Sequence, residues 1–569
     1  MYILGIHNSG WLTSAALIKD GEIRVACPEE RLDRRKYSRA FPVGAIRLCL
    51  QAEGIPLSAV DHIAIGWNPG INVASRYRGG FSERLRYAGE WLYSVPNHLF
   101  GRLMPLEIES TEQVFRARGA TARIHHVTHH DAHAANAFYL SPFDEAAIFT
   151  ADAYGERNST TWKRGRGGRL ETFQTIDFPQ SLGSYYSALT EFLGYTSDSD
   201  EWKVMGLAPY GDPARFRDAM RRLIRLLPEG RFELDLTYFN HFNFDTEGLF
   251  SPKVEEILGP ARRGDEEPDQ RHRDLAAAMQ ESFEEVLYHA LRHLHTLAPS
   301  RNLCLSGGCM MNSVFNGKVL SHTPFEQVYV SFAPDDSGNS IGAALALYHD
   351  LLEVPRPEAR PVTHAYWGPQ WDDAAIEATL RKYKLAVRRL ERPEAEAAAI
   401  LSRGHILGWF QGRMEFGQRA LGNRSILADP RQASMKGVIN AAVKYRESFR
   451  PFAPSVLEER VHDYFEIEAG GTVPFMERVY PIKAAMRERI PAVTHVDGSG
   501  RLQTVSRRDN PRYHALITEF ERLTGVPVVL NTSFNVQGEP VVCSPEDALR
   551  TFHTSGLDDL ILGSFHLAK

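Results

Sequence analysis

The residues with the most evident chemistry lie in one short stretch, His125 to Phe138, which reads HHVTHHDAHAANAF. Five of the chain's 22 histidines fall within nine residues there. His129 and His133 are four apart, so on a helix both imidazoles leave the same face. That spacing suits two nitrogen ligands on one metal ion. The stretch also reads as a polar helix start whose histidines are simply hydrogen-bonded, and alone it does not choose between the two. One carboxylate that could join such a set lies downstream. Asp152 ends an apolar run, Ala146 to Thr150, where it can ligate a metal, position phosphates or cap its own turn. Asp336 and Gly338 lie between a strand, Val328 to Ser331, and a small-residue helix, where backbone can approach a ligand closely.

A second kind of chemistry occupies the other half of the chain. GWFQGRMEFGQRALGNRSILADPR sets Arg413, Arg419, Arg424 and Arg431 among glycines, and VKYRESFRPFAPSVL adds Lys444, Arg446 and Arg450. VVLNTSFNVQGEPVV is a strand followed by a polar loop with Asn531, Ser533 and Asn535. So much guanidinium near glycine loops, in a protein of formal net charge -6, points to a small anion rather than to a polymer. Interleaved Phe416, Leu421, Phe449 and Phe452 argue that these cations are partly buried and not a solvated face.

These groups must be positioned by elements that the patterning also predicts. Asp20-Gly21 is a tight-turn signal between two apolar runs, so residues 1–26 read as a β-hairpin. A helix is expected from Val43 to Glu53 and a long amphipathic one over 274–298. Residues 185–211 read as a helix and then a loop with Glu201 and Lys203. The strand NLCLS leads into Gly307-Gly308 and a helix with Asn312 and Asn316, an arrangement that can seat a nucleotide at a helix N-terminus. The segment 70–110, rich in Arg, Tyr and Trp, reads as an irregular insertion that could line a substrate site. The proline-rich stretch 353–364 reads as a linker, dividing the chain into domains 1–352 and 365–569.

Composition narrows the class. A chain of 569 residues has room for two or more domains. The net charge gives no electrostatic case for nucleic acid. The start MYILGIHNSG lacks the form of a signal peptide, and no run approaches the roughly 18 apolar residues of a membrane helix. Five cysteines without a CxxC pair argue against a disulfide scaffold or a zinc ribbon. A cytoplasmic, multi-domain α/β protein is expected.

Taken together, HHDAH, the strand-end Asp152, EWKVMGLAPYG, LSGGCMMN, DDSGNSIGAAL, GRMEFGQRALGNRSILADPR, FRPFAPSVL and LNTSFNVQGEP resemble the antibiotic-type carbamoyltransferases, the nebramycin 5′ synthase family. The resemblance spans nearly the whole chain. It implies an N-terminal duplicated domain of the actin/Hsp70-like (ASKHA) kind, similar to the tRNA threonylcarbamoyltransferase, and a C-terminal YrdC-like α/β domain. It implies a metal site of His129, His133, Asp152 and Asp336, with iron(II) as the ion. It further implies carbamoyl-adenylate formation from carbamoyl phosphate and ATP with Mg2+, then transfer to a hydroxyl or amine of a small natural-product acceptor. For the anions the residues assigned are Arg413, Arg419, Arg424, Lys444 and Arg446, with Asn531, Ser533 and Asn535. For nucleotide contacts in the first domain they are Lys203, Gly307, Gly308, Asn312 and Gly338. Partners are a small acceptor, with neither nucleic acid nor membrane, and a homodimer is allowed for.

One departure concerns the general base. Trp11 and Leu12 stand where the family carries His-Asp, and neither can take a proton. His7 and His130 are the nearest imidazoles in sequence, and Lys203 and Arg419 complete the candidate catalytic set. An amine acceptor would need no strong base. A nucleotide-binding ATPase that keeps the fold without the transfer is the alternative. A second departure is Ala153, where the family tends to have glycine after the strand-end Asp.

Overall fold

A computed structural model describes residues 1–68, 115–116, 118–243, 246–356, 358–444, 446–447 and 449–569. The segment 70–110 lies outside the described residues. The chain forms two compact units. The first comprises Met1–Arg24, Phe41–Met311 and Val319–Pro361, and the second Val25–Ala40, Asn312–Lys318 and Val362–Lys569.

The first unit is built twice on one plan. Strands β1 (Tyr2–His7), β2 (Ser14–Lys19), β3 (Glu22–Pro28), β4 (His62–Ile65) and β5 (Arg123–His126) form a sheet in the order β3-β2-β1-β4-β5. Strands β6 (Glu145–Ala151), β7 (Asn158–Arg166), β8 (Arg169–Asp177), β9 (Asn302–Ser306) and β10 (Gln327–Val330) form another in the order β8-β7-β6-β9-β10. In each sheet the central strand runs antiparallel to the next in sequence and parallel to the fourth, which is parallel to the fifth. The repeated order and sense are the duplication expected of the actin/Hsp70-like fold. Central strands covered on both faces read as unbroken apolar runs, which is why Ile3, Leu4 and Ile6 of β1 and Ala146, Ala147 and Ile148 of β6 have no exposed surface. The Asp20-Gly21 turn joins β2 to β3 with φ of 52° and 82°, the left-handed pair that a two-residue hairpin needs.

The predicted helices form, with two corrections. Helix α1 spans Val43–Glu53 as read. The long helix, expected from residue 274, begins at Gln270, because Asp269 and His272 close a reciprocal cap: Asp269 Oδ1 accepts from His272 N at 3.0 Å and His272 Nδ1 from Asp269 N at 3.2 Å. A histidine in the place usually held by Glu or Gln hides that signal in the sequence. Glu201 and Lys203, read as loop residues, lie on a helix, Glu201–Leu207. No helix among the described residues is long and apolar enough to cross a membrane.

The second unit is organised on a nine-stranded mixed sheet. Its strands are β11 (Arg388–Arg389), β12 (Leu407–Phe410), β13 (Arg424–Ala428), β14 (Ala453–Leu457), β15 (Arg478–Pro481), β16 (Ser499–Val505), β17 (Val528–Ser533), β18 (Asp559–Leu562) and β19 (Phe565–Ala568). Their order is β11-β19-β18-β12-β13-β17-β14-β16-β15, with parallel pairs β12/β18 and β14/β16. Helices Pro393–Ser402, Pro511–Thr524 and Pro545–His553 contribute Ile400, Leu401, Leu516, Phe520 and Phe552 to one core with Trp409, Ile426 and Leu530 from the strands. The edge near β18 and β19 carries an acid-sensitive clamp. Asp559, 3% exposed, takes His405 Nδ1 and His566 Nε2 at 2.7 Å each. Burial opposes its charge, but the two imidazoles hold its pKa below the ordinary 3.8. A depressed carboxylate stabilises the fold fully above its unfolded pKa and loses that contribution as pH falls through its folded one. The Tm gap between the native chain and Asp559→Asn should therefore be full at pH 6 and shrink below pH 4; a gap that does not move with pH would refute the clamp.

Candidate functional site

The histidine stretch becomes helix α2, His129–Phe138, which follows β5 through Val127 and Thr128. Thr128 caps it by accepting from Asp131 N at 3.2 Å. Its alanines permit a close approach to helix α3, Asn339–Ala346, where a Cβ on Gly342 would lie 1.9 Å from Ala132 O. Asn136 ties the same helix to the loop before Asp336, donating to Ser331 Oγ at 2.9 Å and Ala333 O at 2.6 Å. Asp152 leaves β6 and is held by Gly308 N, which donates to its Oδ2 at 3.1 Å.

These elements bring the four predicted ligands together, each offering an atom within 4.8 Å of the others. His133 Nε2 is 3.0 Å from His129 Nε2, 3.0 Å from Asp152 Oδ2 and 3.4 Å from Asp336 Oδ1. His129 Nε2 is 3.5 Å from Asp152 Oδ2 and 3.6 Å from Asp336 Oδ1. Ligands about 2.1 Å from one metal ion stand roughly 3.0–3.4 Å apart, so the set lies within a few tenths of an ångström of that spacing at the five separations given. Both imidazoles are fully buried. Two imidazoles and two carboxylates suit a divalent transition metal and do not choose among iron, manganese and zinc. Burial opposes charge at every member. At His133 the two carboxylates outweigh it and raise the pKa to about 9; at His129 burial wins and the pKa is lowered. Asp336 is held down at about 2, and Asp152 well below its ordinary range, by the two histidines.

The remaining predicted residues of this unit divide. His7, fully buried, places Nε2 3.3 Å from Asp336 Oδ2 and 2.8 Å from Ser9 Oγ. His130 points elsewhere, with Nδ1 2.8 Å from Thr150 Oγ1 and Nε2 2.8 Å from Asn158 O. With both nitrogens engaged it is a framework residue and not a base. Lys203 pairs with Asp200 Oδ2 at 2.9 Å and lies over the Tyr195 ring. Gly307 and Gly338 donate their amides to Pro334 O at 2.7 Å and Asp335 O at 2.9 Å, so these two amides, like that of Gly308, brace the loops of the centre. Asn312 falls in the second unit, where its Oδ1 accepts from Phe315 N at 3.0 Å as a helix cap. Glu156, which sequence reasoning passed over, accepts from His129 N at 3.0 Å and from Asn68 N at 2.5 Å, and burial pushes its carboxyl up to about 8. Only the fold brings it under the start of α2; no local signal marks it.

Gly307 is irreplaceable on steric grounds. Its φ is +99°, and a Cβ there would sit 2.1 Å from Ala151 O, a backbone atom that cannot yield. Gly307→Ala should lower stability by about 3 kcal/mol or more in urea unfolding, whereas a cost under 1 kcal/mol would contradict this packing.

In the second unit Arg424 and Arg413 are corrections. Arg424, with no exposed surface, donates to Gln411 O at 2.6 Å, Asn423 O at 3.0 Å and Gly412 O at 3.2 Å, and lies 3.7 Å over Phe410. Arg413 donates to Trp367 O at 2.7 Å and Gly368 O at 3.2 Å. Both guanidinia brace loop carbonyls, although Arg424 Nε has no hydrogen-bond partner among the described residues. Asn531 turns its Nδ2 to Ala420 O, Ser455 Oγ and Gln503 Oε1, while its buried Oδ1 has no hydrogen-bond partner among the described residues.

The other cations converge. Lys444 Nζ donates to Asn535 O at 2.8 Å and Asn535 Oδ1 at 2.9 Å, and lies 2.5 Å from Ser533 O. Burial, with Arg446, Arg450 and Lys36 nearby, pushes its pKa well below the ordinary value. Arg446 is lowered by burial and by Arg450, with Glu447 partly offsetting them. Arg501, absent from the sequence-based set, is lowered by burial and by Arg419, Arg446 and Arg450. Arg446 Nη2 and Arg501 Nε have no hydrogen-bond partner among the described residues. Buried cations that face one another carry both a desolvation and a repulsion cost, which a multiply charged anion would remove.

The chain is thus a two-unit α/β protein with two histidines and two carboxylates gathered in one unit, a group that could hold a metal ion, and a cluster of buried cations in the other. A family model described as carbamoyltransferase N-terminus matches residues 2–345, and one described as carbamoyltransferase C-terminus matches residues 398–569, so the chain belongs to the carbamoyltransferase family. Uncharacterized protein sll1178 of Synechocystis sp. is 38% identical, covering 100% of this chain and 97% of its own. Nodulation protein NolNO of Sinorhizobium fredii is 39% identical over 98% of this chain and 78% of its own. Among solved structures, the (R)-2-hydroxyglutaryl-CoA dehydratase component A of Acidaminococcus fermentans aligns over 61% of this chain and 96% of its own at 12% identity; its TM-score of 0.32 is too low to weigh in the fold assignment.

Proposed function

We propose that this carbamoyltransferase makes carbamoyl-adenylate from carbamoyl phosphate and ATP in its second unit and passes the carbamoyl group to a small natural-product acceptor in its first. The single observation that carries the reading is the grouping of Lys444, Arg446 and Arg501 with Arg419 and Arg450, in which Arg446 Nη2 and Arg501 Nε are buried with no hydrogen-bond partner among the described residues; a polyanion would satisfy them. Formation of carbamoyl-adenylate consumes carbamoyl phosphate, ATP and water and releases pyrophosphate and phosphate. The cluster would hold both phosphorylated substrates, with Ser533 and Asn535 aiming Lys444 between them.

In the first unit His129, His133, Asp152 and Asp336 would hold a divalent metal, iron(II) by the family resemblance. When bound, such an ion supplies Lewis-acid stabilisation of negative charge. The acceptor oxygen or nitrogen attacks the carbamoyl carbon, the bond to the adenylate oxygen breaks, and AMP leaves. His7 answers the loss of a base at Trp11. It is the imidazole next to Asp336 outside the ligand pair; its Nε2–H faces the Asp336 carboxylate, and Nδ1, which has no hydrogen-bond partner among the described residues, is the lone pair that would take the proton of an acceptor hydroxyl. A water-excluding site matters, because an acyl-adenylate released to water hydrolyses.

Pyrophosphate release measured with ATP and carbamoyl phosphate, singly and together, tests the reading. Release that needs both is expected, with AMP following once an acceptor is supplied. ATP hydrolysis to ADP without carbamoyl phosphate would instead favour the ATPase alternative and defeat the proposal.

A further inference from the structure

The outer partners of the two histidine ligands are unlike each other. Ser306 Oγ donates to Pro334 O at 3.2 Å, so its oxygen faces His133 Nδ1 at 3.3 Å as an acceptor. That suits an imidazole that ligates through Nε2 and keeps its proton on Nδ1. His129 also directs Nε2 at the other ligands, and its Nδ1 therefore needs an acceptor too. What it meets is the amide of Asn339, the first residue of α3, with Nδ2 at 3.4 Å. The same Nδ2 is 3.2 Å from His133 Nε2. Asn339 has no exposed surface, and its Oδ1 has no hydrogen-bond partner among the described residues.

This amide orientation serves only a metal-free centre, and there only in part. His129 Nδ1 can offer a lone pair to Nδ2, but His133 Nε2 gives its proton to the carboxylate of Asp152, 3.0 Å away, and offers none. With a metal held by the two Nε2 atoms, His129 Nδ1 carries a proton as well. The one acceptor of the Asn339 amide is then gone, and N–H faces N–H. The two ends of a carboxamide are nearly equal in shape, so a half-turn about its last torsion exchanges them at little steric cost. We propose that Asn339 is a positioning residue for the metal centre: its Oδ1 turns to accept from His129 Nδ1–H, fixing the tautomer and ring orientation in which His129 can ligate. The inference rests on the metal reading above and goes beyond its four ligands to the residue that prepares one of them.

The test is a titration of the metal-stripped full chain with Co(II), followed by calorimetry and by the visible spectrum of the bound ion. Asn339→Leu keeps the volume and removes the acceptor, and should weaken binding about 10- to 100-fold. Asn339→Asp offers acceptors only and should keep or tighten binding, which a side chain needed merely for packing would not do. Wild-type affinity in Asn339→Leu, or equal weakening in both variants, overturns the proposal. His133→Ala separates the two claims: if the native chain binds Co(II) no better than it does, the metal reading fails; if the native chain binds better and Asn339→Leu matches it, only the role of Asn339 fails.

Discussion

Replacing His133 by Ala should abolish metal binding and slow carbamoyl transfer to the acceptor by about a thousandfold or more. A metal ion contributes several kcal/mol of charge stabilisation, and each 1.36 kcal/mol is tenfold in rate. The expectation is specific because His133 makes the shortest contacts of the four, 3.0 Å to both His129 and Asp152. Pyrophosphate release from ATP and carbamoyl phosphate should persist, since the cation cluster belongs to the other unit. The variant also removes the proton that His133 holds between Asp152 and Asp336, so the metal-free protein should melt lower. Asp336→Asn is the companion: it withdraws a ligand charge at constant volume, and transfer should fall while the fold stands. Metal content below a tenth of an equivalent with full transfer activity in either variant would remove the metal from the reaction.

Arg501→Met should lower carbamoyl-adenylate formation by about ten- to a hundredfold and yet raise the Tm of the ligand-free protein. Losing a hydrogen bond between charged groups costs about 1.5–3 kcal/mol, which sets the size of the first effect. The second follows from sign. Arg501 is pressed by Arg419, Arg446 and Arg450, and burial lowers its pKa further, so a neutral chain of similar length relieves both. Stability withheld in this way is the mark of a site built for a ligand. Added phosphate or ATP should stabilise the native chain more than the variant, through binding linkage. A drop in Tm with unchanged pyrophosphate release would mean that Arg501 is structural, as Arg424 is.

Arg424 and Arg501 show where sequence reasoning stops. Arg424 sits in the most glycine-rich, guanidinium-rich run of the chain and is nevertheless consumed by carbonyls of its own loops. Arg501 is a lone cation inside SGRLQTV, where no spacing marks it, and β16 delivers it to the cluster. The type of a side chain tells what it could bind, whereas its free valences depend on which carbonyls the fold leaves beside it. The same holds for Gly308, whose amide could face a phosphate but is taken by Asp152, 156 positions away in sequence.

What the sequence determined by itself was local. The i, i+4 pair His129 and His133 on one helix face, the Asp20-Gly21 turn, helix α1, and the apolar runs of β6 and β9 all follow from helical spacing, turn chemistry and unbroken apolar runs that need no distant partner. The family resemblance added which two carboxylates complete the quartet. Tertiary structure alone decided that His7 stands by Asp336 while His130 is buried in hydrogen bonds, that Glu156 supports α2, and that Asn339 faces His129. Each of these rests on contacts between strands and helices far apart in the chain, and their geometry is set by the packing of two sheets and not by any spacing along it.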